Sequence, residues 1–242
     1  MITLMAAAVL VAGAAAPTVD EFFAEFAKKR EHIQTLQAEF VQDNVSQDET
    51  MRSGGRIAFA KPKQLLFEYR DPAIVYAIDG NRVFEYEADL KQVQIYDIED
   101  SAQADAFFIA FDNDASRLRE AYDVTLEDGR PGDCGQRVLT LLPKKSEDEN
   151  AESNALFREI RLYLRAEDLL PCRIRALNEE GTEVIITISA YAINDATATI
   201  GTQFTVPEGT MIVENEDKFD TVGPGGKLLP EKPAAPPTPA EK

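Results

Sequence analysis

Between Gly54 and Tyr96 the apolar positions recur at every second residue. Ile57 and Phe59 alternate with small or polar neighbours, as do Leu65, Phe67 and Tyr69, then Phe84 and Tyr86, then Val93 and Ile95. Period two is the signature of a strand with one face buried. The breaks carry turn chemistry: Lys61-Pro62-Lys63, Arg70-Asp71-Pro72, Asp79-Gly80-Asn81 and Ala88-Asp89. No break is long enough for a crossover helix, so the pattern predicts an antiparallel meander with one apolar face.

Elsewhere the period changes. Thr18-Val19-Asp20-Glu21 has capping-box spacing, and Val19, Phe22, Phe23 and Phe26 follow on one helical face. Leu36, Ala38 and Phe40 then alternate as a first strand ending near Gln42. After Asp97 the pattern breaks into two short helices, the first carrying Phe107, Phe108, Ile109 and Phe111, the second anchored by Leu118. Strands resume over residues 122–126, 136–142, 156–164, 172–178 and 182–192, with a last strand-like signal at Phe204 and Val206. The sum is a mainly β protein of about ten or eleven antiparallel strands in one sheet large enough to curl, with an N-terminal helix and two short helices inserted between strands. A curled sheet plugged by helices encloses either a packed core or an apolar cavity, and both readings stay open.

The termini differ in composition. Residues 1–16 are uncharged, Ala-rich and end in Gly13-Ala14-Ala15-Ala16. The run is too short to span a bilayer and suits a secretory signal peptide, although its leading part lacks Lys and Arg. An Ala-rich helical start is the alternative. Residues 17–213 form one domain, and 214–242, rich in Gly, Pro, Ala, Lys and Glu, read as a disordered Pro-rich tail.

Charge and chemistry narrow the function. A net charge of −18 argues against nucleic acid, whose phosphates need cations, and against anionic bilayers. The single His, His32, has no second imidazole to join it in a metal site and reads as a surface or helix-end residue. No nucleophile elbow, P-loop or dinucleotide fingerprint occurs. The 43 acidic residues allow no single acid and base pair to be nominated, so no catalytic residue, metal or cofactor is expected. Cys134 and Cys172 could close a loop worth about 4 kcal/mol. As the first residues of strands flanking a shared third strand, however, they would stand about 9 to 10 Å apart, and the disulfide stays open.

One family brings these motifs together. The capped helix, Leu36-Gln37-Ala38-Glu39-Phe40-Val41-Gln42, Gly54-Gly55-Arg56-Ile57-Ala58-Phe59-Ala60-Lys61-Pro62, Phe67-Glu68-Tyr69, Ile78-Asp79-Gly80-Asn81, Val83-Phe84-Glu85-Tyr86 and Phe204-Thr205-Val206-Pro207-Glu208-Gly209 stand in an order that resembles the LolA family. These are periplasmic carriers of outer-membrane lipoproteins. The resemblance implies an incomplete, unclosed antiparallel barrel with the inserted helices as a lid over an acyl-chain cavity, the cavity lined by Ile57, Phe59, Leu65, Phe67, Phe84, Tyr86, Val93 and Ile95. The lid would carry Phe107, Phe108, Ala110 and Phe111. It further implies a periplasmic monomer that binds lipoprotein acyl chains. Its partners would be an inner-membrane ABC transporter like LolCDE and, in some lineages, an outer-membrane receptor like LolB. Before the motif proline the family usually has an Arg that latches the lid; here Lys61 stands there, with Arg56 as a candidate substitute. A carrier of another lipid or glycolipid, or a scaffold with a filled core, fits the same motifs.

Overall fold

In the computed structural model, residues 18–97, 108, 110–111, 116–144, 157–196, 201–215 and 218–231 are described. The proposed signal peptide lies outside them. The chain opens with α1 (Val19–Arg30), then β1 (Thr35–Val45), β2 (Thr50–Ala60), β3 (Gln64–Tyr69), β4 (Ile74–Asp79), β5 (Arg82–Glu87) and β6 (Gln92–Asp97). A short helix, α2 (Ser116–Ala121), precedes β7 (Tyr122–Asp128), β8 (Arg137–Pro143), β9 (Glu159–Leu164), β10 (Pro171–Leu177) and β11 (Glu183–Ile193). The C-terminal strands are β12 (Phe204–Val206), β13 (Met211–Glu214), β14 (Lys218–Thr221) and β15 (Lys227–Leu229).

α1 forms as the capping box predicts. The Thr18 hydroxyl accepts from the Glu21 amide at 3.2 Å and the Glu21 carboxylate accepts from the Thr18 amide at 2.8 Å. Those hydrogen bonds from Thr18 hold the Glu21 carboxyl below its ordinary range. Lys28, Lys29 and Arg30 complement the negative end of the helix.

Thirteen strands make one open sheet in the order β14-β13-β6-β5-β4-β3-β2-β1-β11-β10-β9-β8-β7, and β12 pairs with β15 as a separate ribbon. The meander is as expected, including the Gly80-Asn81 hairpin, where Gly80 takes φ +64° and Asp79 faces Arg82. Two features depart from the expectation. The sheet is larger than ten or eleven strands, and β14 and β15 lie within residues 214–242, which composition assigned to a disordered tail. A few apolar residues, Val222 and Leu229 among them, suffice to order this stretch, because a preformed sheet offers them a surface. Moreover, β13 runs parallel to β6. The other half of the sheet is built between these two strands, so the chain returns to the β6 edge from a distance and is not bound to a hairpin's antiparallel sense.

Both faces of the sheet are buried. On the inner face, α1 sets Phe22, Phe23 and Phe26 against Leu139, Leu141, Leu162 and Leu164. Beside them a second cluster runs over β1 to β5 and beneath Phe108 and Phe111. The two meet at Ile174. On the outer face of β2 to β6, a third cluster joins Ala58, Leu66, Ala77 and Phe84 to Val206, Ile212 and Leu229. The expectation of a single apolar face is therefore corrected: Ile57-Ala58-Phe59 and Leu65-Leu66-Phe67 are continuous apolar runs, which is what strands covered on both sides require.

The disulfide is present, with Cys134 and Cys172 Cα atoms 6.0 Å apart. Cys134 lies in the loop before β8 and does not begin a strand. That loop crosses the end of β9, where the Gln136 amide donates to the Leu164 carbonyl at 2.9 Å. Gly135 makes the crossing possible, since a Cβ there would lie 2.6 Å from the Leu164 nitrogen. The bridge closes a loop with a sequence separation of 38. Replacing both cysteines by serine is expected to lower unfolding free energy by about 2–4 kcal/mol, read as an earlier urea midpoint; a midpoint equal to that of the parent under oxidising conditions would refute it.

Candidate functional site

The inner face of β1 to β5 is the place to look for function, because there the sheet is covered by an inserted segment and not by its own strands. Leu36, Ala38 and Phe40 of β1, Ile57 and Phe59 of β2, Leu65 and Phe67 of β3, Ile78 of β4 and Val83 of β5 form one buried surface. Phe108, Ala110 and Phe111 lie on it, 3%, 2% and 1% exposed, and the Phe111 ring stands 6.2 Å from that of Phe59. The Phe111 amide donates to the Phe108 carbonyl at 2.8 Å, Phe108 itself being helical, and Phe108, Ala110 and Phe111 all pack in the sheet's inner cluster. Phe107 lies outside the described residues.

Ile57, Phe59, Leu65 and Phe67 are thus brought together with Phe108, Ala110 and Phe111. Phe84, Tyr86, Val93 and Ile95 are not. They lie on the outer face with Ala77 and Ile212, and Tyr86 stacks on Phe204 at 6.0 Å. Register explains the correction. Across the Gly80-Asn81 turn Ile78 pairs with Val83 and Ala77 with Phe84, so the smaller Val83, not the larger Phe84, continues the inner face. Next to Phe84 and Ile95 the outer face holds a cavity of about 600 Å³, rimmed by Asp79, Arg82, Glu214, Lys227 and Glu231. Arg82 is ion-paired with Glu214, and Lys227 with Glu231 at 2.7 Å. A charged rim of this kind does not suit hydrocarbon.

The latch residues are also relocated. Arg56 shares the face of Ala58 and pairs with Glu68, its cross-strand partner, at 2.8 Å. It therefore points away from Phe108 and Phe111 and cannot latch them. The Lys61 ammonium donates to the Arg30 carbonyl at 3.4 Å, tying the β2–β3 turn to the end of α1. Arg30 itself escaped the sequence reading. It is completely buried, its guanidinium 3.8 Å above the Phe26 ring, and it donates to the Leu169 carbonyl. Its neighbour Lys29 donates to the Ala166 carbonyl. The end of α1 is thereby fastened to the β9–β10 turn, which Asp168 shapes by pairing with Arg165 and accepting from the Leu170 amide at 2.9 Å. The Phe26-to-Arg30 spacing of one helical turn was the available signal.

Away from Phe108 and Phe111, an aromatic track runs along the inner face from the buried Phe67 and Phe40 to the half-buried Tyr69 and Tyr76. The rings of Phe67 and Phe40 are 5.7 Å apart, those of Phe40 and Tyr69 4.9 Å, and those of Tyr69 and Tyr76 6.0 Å. Gly55 sits between Phe40 and Tyr69 in register, and a Cβ there would stand 1.8 Å from the Glu68 carbonyl oxygen, so only glycine lets β2 and β3 lie this close. The hydroxyls are satisfied at the outer end of the track: Tyr69 donates to Gln42 and Tyr76 to Glu85, both at 2.8 Å. Burial pushes the Tyr69 phenol up to about 12. Tyr76 rises further, through burial and the Glu85 carboxylate, so both phenols stay protonated and donating at neutral pH.

Comparison with known proteins follows the same lines. Residues 31–205 match the family described as outer membrane lipoprotein carrier protein LolA. The outer-membrane lipoprotein carrier protein of Xanthomonas campestris pv. campestris (strain B100) is 28% identical over 162 residues, covering 66% of this chain and 72% of that protein. Its counterpart from Xanthomonas axonopodis pv. citri (strain 306) is 29% identical over the same shares. Among solved structures, an uncharacterized conserved protein from Thermus thermophilus aligns over 81% of this chain and 99% of its own, at 15% identity and TM-score 0.49. A LolA superfamily protein from Nitrosomonas europaea aligns over 74% of this chain and 95% of its own, at 11% identity and TM-score 0.45.

The close approach at Gly55 yields a direct test. Gly55→Val is expected to cost about 3 kcal/mol or more, seen as a lowered thermal midpoint, because the β3 backbone must move before the side chain fits. An unchanged midpoint would mean that the sheet is not pinned there.

Proposed function

We propose that this chain, which belongs to the LolA family of outer membrane lipoprotein carrier proteins, binds the acyl chains of lipoproteins and ferries them through the periplasm from the inner to the outer membrane. Leaving an acyl chain of about fifteen methylenes in water costs roughly 12 kcal/mol, so lipoproteins cannot cross an aqueous gap unaided. A carrier must cover that hydrocarbon and still release it.

The observation that carries the reading is the cover of Phe108, Ala110 and Phe111 on the inner sheet face. Among the described residues, Phe108, Ala110 and Phe111 meet the sheet through apolar, non-directional packing. Acyl chains can therefore replace them with little difference in free energy, which is the condition for reversible loading. In the empty protein the aromatic groups fill the space that the chains would take. Exchange needs this segment to swing away while the sheet, α1 and the fastening of Arg30 stay fixed. The aromatic track offers the path along which chains would extend once the segment has moved.

Loading by an inner-membrane ABC transporter like LolCDE and delivery to an outer-membrane receptor like LolB belong to the same reading. No helix among the described residues is long and apolar enough to cross a membrane. The family's members are carriers by name, and the functional reading is non-enzymatic.

Phe108→Asp is expected to weaken binding of a fluorescent acyl probe at least about tenfold, since a buried carboxylate opposes both closure and hydrocarbon contact. The strand signal in far-ultraviolet circular dichroism should persist. Unchanged affinity would defeat the assignment of this segment as the lid.

A further inference from the structure

The aromatic track ends on a negative charge. Phe67, Tyr76 and Glu85 are neighbours across β3, β4 and β5 on the inner face, and the Glu85 carboxylate accepts the Tyr76 phenol at 2.8 Å. Glu85 is half-buried, and the groups beside it on the inner face of β6, Gln94 and Tyr96, are neutral. Burial first, and the Glu85 carboxylate second, push the Tyr96 phenol up. Among the described residues Glu85 makes no ion pair. A cation that would cancel its charge toward the track is thus missing from the described surroundings. The phenol of Tyr76 fixes the carboxylate's position without neutralising it.

An acyl chain lying on Phe67, Phe40, Tyr69 and Tyr76 brings the group at its polar end to Glu85. Resting on the carrier reading above, we propose that Glu85 is a specificity-determining residue that selects acyl amphiphiles by charge. It admits chains attached to an uncharged or cationic group and rejects those carrying an anion beside the chains, such as fatty-acid carboxylates and phosphodiester lipids. Two like charges brought together at a partly desolvated surface repel more strongly than in water, enough for at least a tenfold difference in affinity. Specificity of this kind comes from an unfavourable contact with the wrong ligand and leaves the hydrocarbon contacts with the right one unchanged. For a carrier working beside membranes rich in phosphodiester lipids, such rejection keeps the cavity free for ester- and amide-linked chains.

The test uses the full chain and a fluorescent monoacylglycerol reporter, displaced by laurate, monolauroylglycerol and dodecyltrimethylammonium below their micelle concentrations. Laurate is expected to displace the reporter at least tenfold less effectively than the other two. Glu85→Gln should bring laurate to within about twofold of monolauroylglycerol. Glu127→Gln, which removes the same charge from an exposed position on β7, should leave the original gap. Equal displacement by all three in the parent chain would overturn the proposal, as would a gap that survives Glu85→Gln or closes equally with Glu127→Gln. A reporter that binds without discriminating sinks only the role of Glu85; a reporter that does not bind at all sinks the carrier reading and this inference with it.

Discussion

The structure depends on one constraint: a single open sheet presents apolar side chains on both faces, and water must be kept from each by a different device. α1 covers the inner face of β7 to β10, the segment at Phe108–Phe111 covers the inner face of β1 to β5, and the β12–β15 ribbon covers the outer face of β2 to β6. These covers differ in how they are held. α1 is fastened by Arg30 and Lys29 to the β9–β10 turn and by Lys61 to the β2–β3 turn. The ribbon is knitted to the chain that forms β13 and β14. Phe108, Ala110 and Phe111 meet the sheet through apolar packing, which can be exchanged for other apolar groups with little loss.

The glycines of β2 set the shape of that exchangeable surface. Gly55 has no side chain where a Cβ would run into the β3 backbone at Glu68, so β2 and β3 close together there, with Phe40 and Tyr69 as its register partners on either side. The aromatic rings then form a continuous strip from the buried Phe67 outward. Because Tyr69 and Tyr76 end in hydroxyls that donate to Gln42 and Glu85, the strip passes from hydrocarbon to polar within two strands. An amphiphile has the same gradient along its length.

The disulfide and the buried arginine show how much a loop or a helix end can contribute that strand counting misses. Strand spacing set Cys134 and Cys172 too far apart, yet the loop before β8 crosses β9 at Gly135 and brings their Cα atoms to 6.0 Å. Arg30 sits in a patterned position on α1, but only its contact with Phe26 and the Leu169 carbonyl explains why a cation is buried there. Both depend on residues far apart in the chain.

Period and turn chemistry in the sequence determined that α1 is a capped helix and that β1 to β6 form an antiparallel meander with a Gly80-Asn81 hairpin; they showed that Phe108 and Phe111 need an apolar surface, and the structure supplies Phe59 and its neighbours. Such features depend on residues within a turn or two of each other, where side-chain geometry acts directly. The face taken by Phe84, Tyr86, Val93 and Ile95, the ordering of residues 218–231 and the pairing of Arg56 with Glu68 were decided only in the tertiary structure. A strand that is apolar on both sides reads the same from either face, and which face meets the lid is settled by register against neighbours and by where the C-terminal strands come to rest.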